Sequence, residues 1–163
     1  MAWASKFKKL TGAGDTIEII ALGAKKFQEN LAHYIASGAL DNNKLRVGSG
    51  SLDSGTNYAY RHSTDGVADS TNTNDTGITT NGINSAQDHF VVTSGINILA
   101  EEKLFIIHCL HANTAGAGNA PQRYECVAKW ANTSSAFNDI GHINAGSGDF
   151  DTDSLSASIE TDN

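Results

Sequence analysis

The chain has 163 residues and a mass of 17.2 kDa, which is enough for one hydrophobic core and too little for two. Only 18% of residues are charged against 39% hydrophobic, so Ser, Thr, Asn and Gly carry the polar share. That composition suits turns and solvent-facing strand positions and excludes a helical bundle, whose exposed faces need Lys, Glu and Ala. A net charge of −7 and a pI near 5.2 exclude a partner bound through clustered phosphate contacts, so no nucleic acid is expected.

Residues 1–14 read as an N-terminal arm or first strand, ahead of a single domain spanning residues 15–163. Lys6, Lys8 and Lys9 precede every acidic residue, and Trp3 and Phe7 accompany them. The segment therefore suits a contact with an acidic surface on a neighbour. The competing readings are a solvated terminus and two ordinary core aromatics. The start of the chain lacks the apolar stretch of a signal peptide, and no run reaches the roughly eighteen apolar residues of a membrane span. Export by the usual route and a membrane partner are not expected.

Residues 16–22 read as a strand. Residues 25–37 space Phe27, Leu31, Tyr34 and Ile35 as on a helical face, yet Phe27, Leu31 and Ile35 also share one face of a strand. A strand is the expectation here. Residues 44–48 and 57–62 are further short strands bounded by Gly, Asn or Asp. Residues 63–88 form the longest weakly apolar stretch and read as a surface loop that meets a partner, with Asp65, Asp69, Asn72, Asn74 and Asn81 as its contact residues.

After a strand over 89–99, residues 103–112 (KLFIIHCLHA) are apolar on both alternating sets, which predicts a strand covered on both faces. Residues 113–121 form a second loop, ended by Pro121. Residues 123–131 alternate, placing Tyr124, Cys126, Ala128 and Trp130 inward. Residues 140–145 read as a strand, and residues 154–160 (SLSASIE) set Leu155, Ala157 and Ile159 on one side. Eight or more short strands imply an antiparallel β-sandwich. Cys109 and Cys126 read as reduced core thiols.

No serine occupies a GxSxG elbow, and the glycine clusters match neither a Walker loop nor GxGxxG, so no enzyme activity or cofactor is expected. His108, Cys109 and His111 are metal-ligand types, but His108 and Cys109 point to opposite faces of a strand, which leaves an inward Cys with two satisfied histidines. Asp149, Asp151 and Asp153 alternate, with Glu160 at the twelfth position of a Ca²⁺-loop count. Ser154 stands where the turn glycine belongs and no helices flank the segment, which excludes an EF-hand. A looser Ca²⁺ site competes with a solvated acidic turn. Asn74 and Asn132 head chance glycosylation matches.

The segments GTNYAYRHSTDGVAD (55–69), INILAEEKLFIIHCLHA (96–112), TAGAGNAPQRYECVAKWANTSS (114–135) and GSGDFDTDS (146–154) together resemble small virion proteins of tailed phages from marine and environmental viruses. The chain departs from that pattern at FQENLAHYIASG. The resemblance implies a jelly-roll-like sandwich on the particle exterior, made in the host cytoplasm. It further implies a head decoration protein bound to the major capsid protein as a symmetric oligomer, with a trimer favoured. The alternative it implies is a tail-tip or fibre component that binds a receptor or glycan. It carries no catalytic residue to transfer.

Overall fold

The computed structural model describes residues 3–38, 40, 42–80, 87–112 and 114–162, and among these there is no helix. Eight strands form the larger sheet: β1 (Ala4–Lys9), β3 (Phe27–Tyr34), β6 (Tyr58–Thr64), β7 (Ser70–Asp75), β9 (His89–Ile96), β10 (Lys103–His111), β11 (Gln122–Trp130) and β14 (Leu155–Thr161). Their spatial order is β1-β14-β3-β9-β10-β11-β6-β7. The smaller sheet holds β2 (Thr16–Ile19), β12 (Asp139–Asn144), β5 (Asn43–Gly48) and β8 (Ile78–Thr79), in that order. A two-residue ladder joins β4 (Ala36–Ser37) to β13 (Asp149–Phe150). Every pairing is antiparallel; early strands interleave with late ones in β1-β14-β3-β9 and in β2-β12-β5, while β9-β10-β11 run as a meander, and the two sheets make a jelly-roll-like sandwich.

The core lies between the two sheets. Ile17, Leu45, Val47 and Ile140 come from the smaller sheet, and Val91, Phe105, Ile107, Tyr124 and Trp130 from the larger, all nearly inaccessible. The segment 25–37 is strand and not helix, as the sequence predicts, and residues 122–130 are likewise extended, with Tyr124, Cys126, Ala128 and Trp130 pointing inward. Cys109 and Cys126 are buried free thiols.

Three expectations are corrected. The strand over 103–111 is covered on one face only: Lys103, Phe105, Ile107, Cys109 and His111 are buried, whereas Leu104, Ile106 and Leu110 are open to solvent. Residues 63–88 are not one loop, because β7 extends the larger sheet beside β6 and β8 joins the smaller one. The histidines near the end of β10 are not both satisfied. His111 packs on His89 at 5.0 Å between ring centres, and neither ring has a hydrogen-bond partner among the described residues.

Polar residues occupy much of the space between the sheets. Tyr34 OH donates to His142 Nδ1 at 2.5 Å, and His142 Nε2–H donates to Asn30 Oδ1 at 2.7 Å. Asn30 Nδ2 donates to Ser156 Oγ and Ser158 Oγ, both at 2.8 Å. Each of these five residues is 2% exposed or less. Between them they join β3, β14 and β12, so both sheets are fixed through one hydrogen-bonded chain.

Burial depresses the His142 pKa to about 3, and burial with the neighbouring His111 charge depresses that of His89 to about 4. In the unfolded chain both imidazoles return to values near 6.5. Because the folded values are the lower ones, the unfolded state binds more protons once the pH drops below 6.5. Stability is therefore complete above that pH and declines as pH falls towards 4, by about 1.4 kcal/mol per pH unit for each histidine. Urea unfolding at pH 7, 5.5 and 4.5 should show a steadily falling midpoint, and a flat profile would contradict the neutral buried rings.

Gly48 closes β5 against the turn that follows. A Cβ there would lie 1.7 Å from the Ser51 carbonyl oxygen, which is backbone and has nowhere to retreat. The Gly48 carbonyl also accepts from Asn138 N at 2.8 Å. The substitution G48A should cost about 3 kcal/mol or more by chemical denaturation. A loss below roughly 0.5 kcal/mol would show that the turn is free to open.

Candidate interaction surface

The outer face of the larger sheet is apolar across its middle strands. Leu155 and Ile159 on β14, Phe27 and Leu31 on β3, Phe90 on β9, and Leu104, Ile106 and Leu110 on β10 are each 37–54% exposed. Val127 on β11 extends the field, and Phe7 on β1, at 78% exposed, borders it. The strand registers set Ile159, Glu29, Ser94, Ile106 and Val127 in one row, with Glu29 and Ser94 as its polar centre, and Leu155, His33, Phe90 and Leu110 in another. The inward positions of β14 and β3 belong to Ser156, Ser158, Glu160, Gln28 and Asn30. The apolar set that marks residues 155–159 as a strand thus faces solvent and not the core.

Charged side chains frame this field. Arg61 lies 3.7 Å from Asp69, Arg123 3.8 Å from Glu125, Lys129 2.8 Å from Glu102 and Lys9 2.8 Å from Asp153. On the four middle strands the outward carboxylate is Glu29, which accepts from Ser94 Oγ at 2.9 Å. Near that pair a shallow depression of about 620 Å³ is bordered by Trp3, Phe27, Leu104 and Val127.

The N-terminal candidates lie on an edge strand. β1 pairs with β14, and all six of its residues are exposed, as is Trp3. Trp3 and Phe7 are therefore not core aromatics. Register puts Phe7 and Lys9 on the outer face with Ala157 and Leu155. Lys6 and Lys8 fall on the other side, above a cleft of about 700 Å³ shared with Thr16, Glu18 and Ile20. There Lys6 Nζ donates to the Ile20 and Ala21 carbonyls. Leu10 is buried, so the exposed segment stops at Lys9.

Four of the candidates between β6 and β9 lie on the β6–β7 turn and on β7. Asp65 holds a turn by accepting from Arg123 N at 2.9 Å and Gln122 Nε2 at 3.1 Å. Asp69 pairs with Arg61, Asn72 stands opposite Tyr60 in the ladder, and Asn74 takes a left-handed conformation within β7. Asn81 lies outside the described residues.

The acidic triplet is dispersed. Asp149 is hydrogen-bonded to Asp15, which raises its pKa, Asp151 accepts from Thr152 N at 2.7 Å, and Asp153 pairs with Lys9. No group of three metal-ligating side chains converges among the described residues. Glu160 is buried and serves the fold: it accepts from Gly23 N at 2.5 Å, Gln28 Nε2 at 2.9 Å and Lys25 N at 3.3 Å, tying the β2–β3 connection to β14. Serine and histidine do meet, through Asn30, but wholly inside the sandwich where a substrate has no access.

Comparison of the chain with protein-family models, curated proteins and solved structures finds no match. The outer face was hidden from sequence reasoning because alternation reveals two faces without saying which is covered. Its signal was the Ser-x-Ser-x-Glu pattern opposite Gln-x-Asn, a polar set able to bond across strands. Replacing its hub, N30A, strands the His142 donor and frees both serines. The cost should be roughly 2–4 kcal/mol in urea at pH 7, and a loss under about 0.5 kcal/mol would mean that the network holds nothing.

Proposed function

We propose that this chain is a non-enzymatic structural protein of a tailed-phage virion. It is made in the host cytoplasm and carried on the particle exterior as a head decoration protein. The observation that supports this reading is the broad apolar outer face of the larger sheet, because a surface of this kind is covered in an assembly. The likeness of four segments to small virion proteins supplies the setting. The partner is the major capsid protein, and repeated copies gain strength from multivalency even when each contact is weak.

The exposed edge strand is the capsid anchor in this reading. Trp3 and Phe7 offer apolar contact, while Lys6, Lys8 and Lys9 suit an acidic capsid surface and guard the edge against uncontrolled strand pairing. Among the described residues the buried core begins at Leu10, so the anchor is separable from the core although β1 pairs with β14 along its whole length. A tail-tip or fibre role is the second reading, favoured by Trp3 and Phe27 beside Glu29 and Ser94 in the depression, a grouping that suits sugar stacking and hydroxyl contacts.

Mass spectrometry of purified particles of the encoding virus decides between them. Decoration predicts copies in numbers comparable to the major capsid protein, a handful of copies assigns the chain to the tail, and absence from particles contradicts both. Deletion of residues 1–9 should abolish attachment while leaving the cooperative unfolding of the sandwich. A truncated protein that still attaches would remove the anchor from the account.

A further inference from the structure

We infer that the apolar outer face of the eight-stranded sheet is covered by a second copy of this chain, giving a face-to-face dimer. The inference concerns the isolated protein and goes beyond the virion reading. Area is the first argument. At roughly 150–200 Å² for a large apolar residue fully exposed, the nine from β14, β3, β9, β10 and β11, each about half exposed, present on the order of 700–800 Å². That exceeds the 300–600 Å² or so of the largest patch on a typical monomer and matches the roughly 800 Å² that each partner of a stable interface buries.

Charge is the second argument. The chain carries a net charge of −7, which repels a second copy over most of its surface. Outward strand positions of the larger sheet hold the cations Lys9, Arg61, Arg123 and Lys129 against the carboxylates Glu29 and Glu125. The acidic excess therefore lies elsewhere, and this face is the one two copies can bring together. Each of the four cations already has a carboxylate within 4.0 Å, so the border approaches its copy as neutral pairs.

Symmetry is the third argument, and it fixes the arrangement. An isologous dimer needs a surface that is complementary to itself. The apolar field is balanced about the line between β3 and β9: Ile159 and Leu155 lie one strand out on β14, and Ile106 and Leu110 one strand out on β10, in the same rows. A two-fold axis along that line sets Ile159 over Ile106 and Leu155 over Leu110, and sets Leu31 over Val92 at the centre. Two sheets stacked in this way pack about 10 Å apart, as the two sheets within a sandwich do. Sheet edges offer no competing route, because β1 carries three lysines and β7 meets β6 through an irregular register.

The test uses the full chain and two variants on exposed positions. Sedimentation equilibrium at roughly 50 µM should show a dimer for the wild type. I106E and I159K should each weaken association at least about 100-fold with far-UV circular dichroism unchanged. An equimolar mixture of the two should recover the dimer, since the carboxylate introduced by I106E on one copy then faces the ammonium introduced by I159K on the other across one contact, while the second contact stays native. V67E, on an exposed apolar residue away from the face, should remain a dimer. Should I106E fail to fold, V127E on the adjoining strand takes its place.

A wild type that sediments as a monomer or a trimer overturns the inference, as does an I106E that stays dimeric or a mixture that stays monomeric. A monomer found in many copies on particles would overturn this inference and leave the virion reading standing. A dimer absent from particles would do the reverse.

Discussion

The hydrogen-bonded chain that runs from Tyr34 through His142 and Asn30 to Ser156 and Ser158 sets the conditions for everything else in this molecule. Buried polar groups are tolerable only when their partners are in place, and these partners sit on three strands from two sheets. A slip of one residue between β3 and β14 would turn Asn30 outward and leave His142 with an unmet donor in a dry interior. The register is therefore held by polar satisfaction more than by apolar packing. Having claimed the inward positions of β3 and β14, that network leaves Phe27, Leu31, Leu155 and Ile159 no place but the outer face.

The apolar outer face is thus a consequence of how the interior is built. Its neighbours β9 and β10 add Phe90, Leu104, Ile106 and Leu110 to the same side, although their inward positions are apolar as well. The result is a sheet with two faces that prefer to be dry, one satisfied within the chain and one awaiting a partner. Ion pairs around the border and a lysine-rich edge strand confine that preference to the face and keep it from spreading along the sheet edges. Assembly in this account follows from the fold, and the virion reading proposes where the assembly is used.

The sequence made the strands legible better than it made their orientation legible. Alternation at residues 123–131 and 154–160 located β11 and β14, and glycine and asparagine clusters marked the turns between most others. The double apolar pattern of KLFIIHCLHA predicts burial on both faces, yet the second face is open within the chain. That pattern suits a strand buried on both sides, and coverage from another copy satisfies it equally well. The β7 and β8 strands were missed because STNTND and IT offer little apolar contrast, and their pairing with β6 and β5 is long-range information. The aromatic and basic character of β1 was legible at once, whereas its place at the sheet edge depended on the distant β14.

The most direct measurement is an isotope-filtered NOE spectrum on the protein mixed from labelled and unlabelled chains, read at the isoleucine methyl groups. Contacts between Ile106 of one copy and Ile159 of the other are the predicted result, with protection of both from solvent. Methyl groups at these positions that show cross-peaks only within their own chain and to water would contradict the claim that this face meets its own copy.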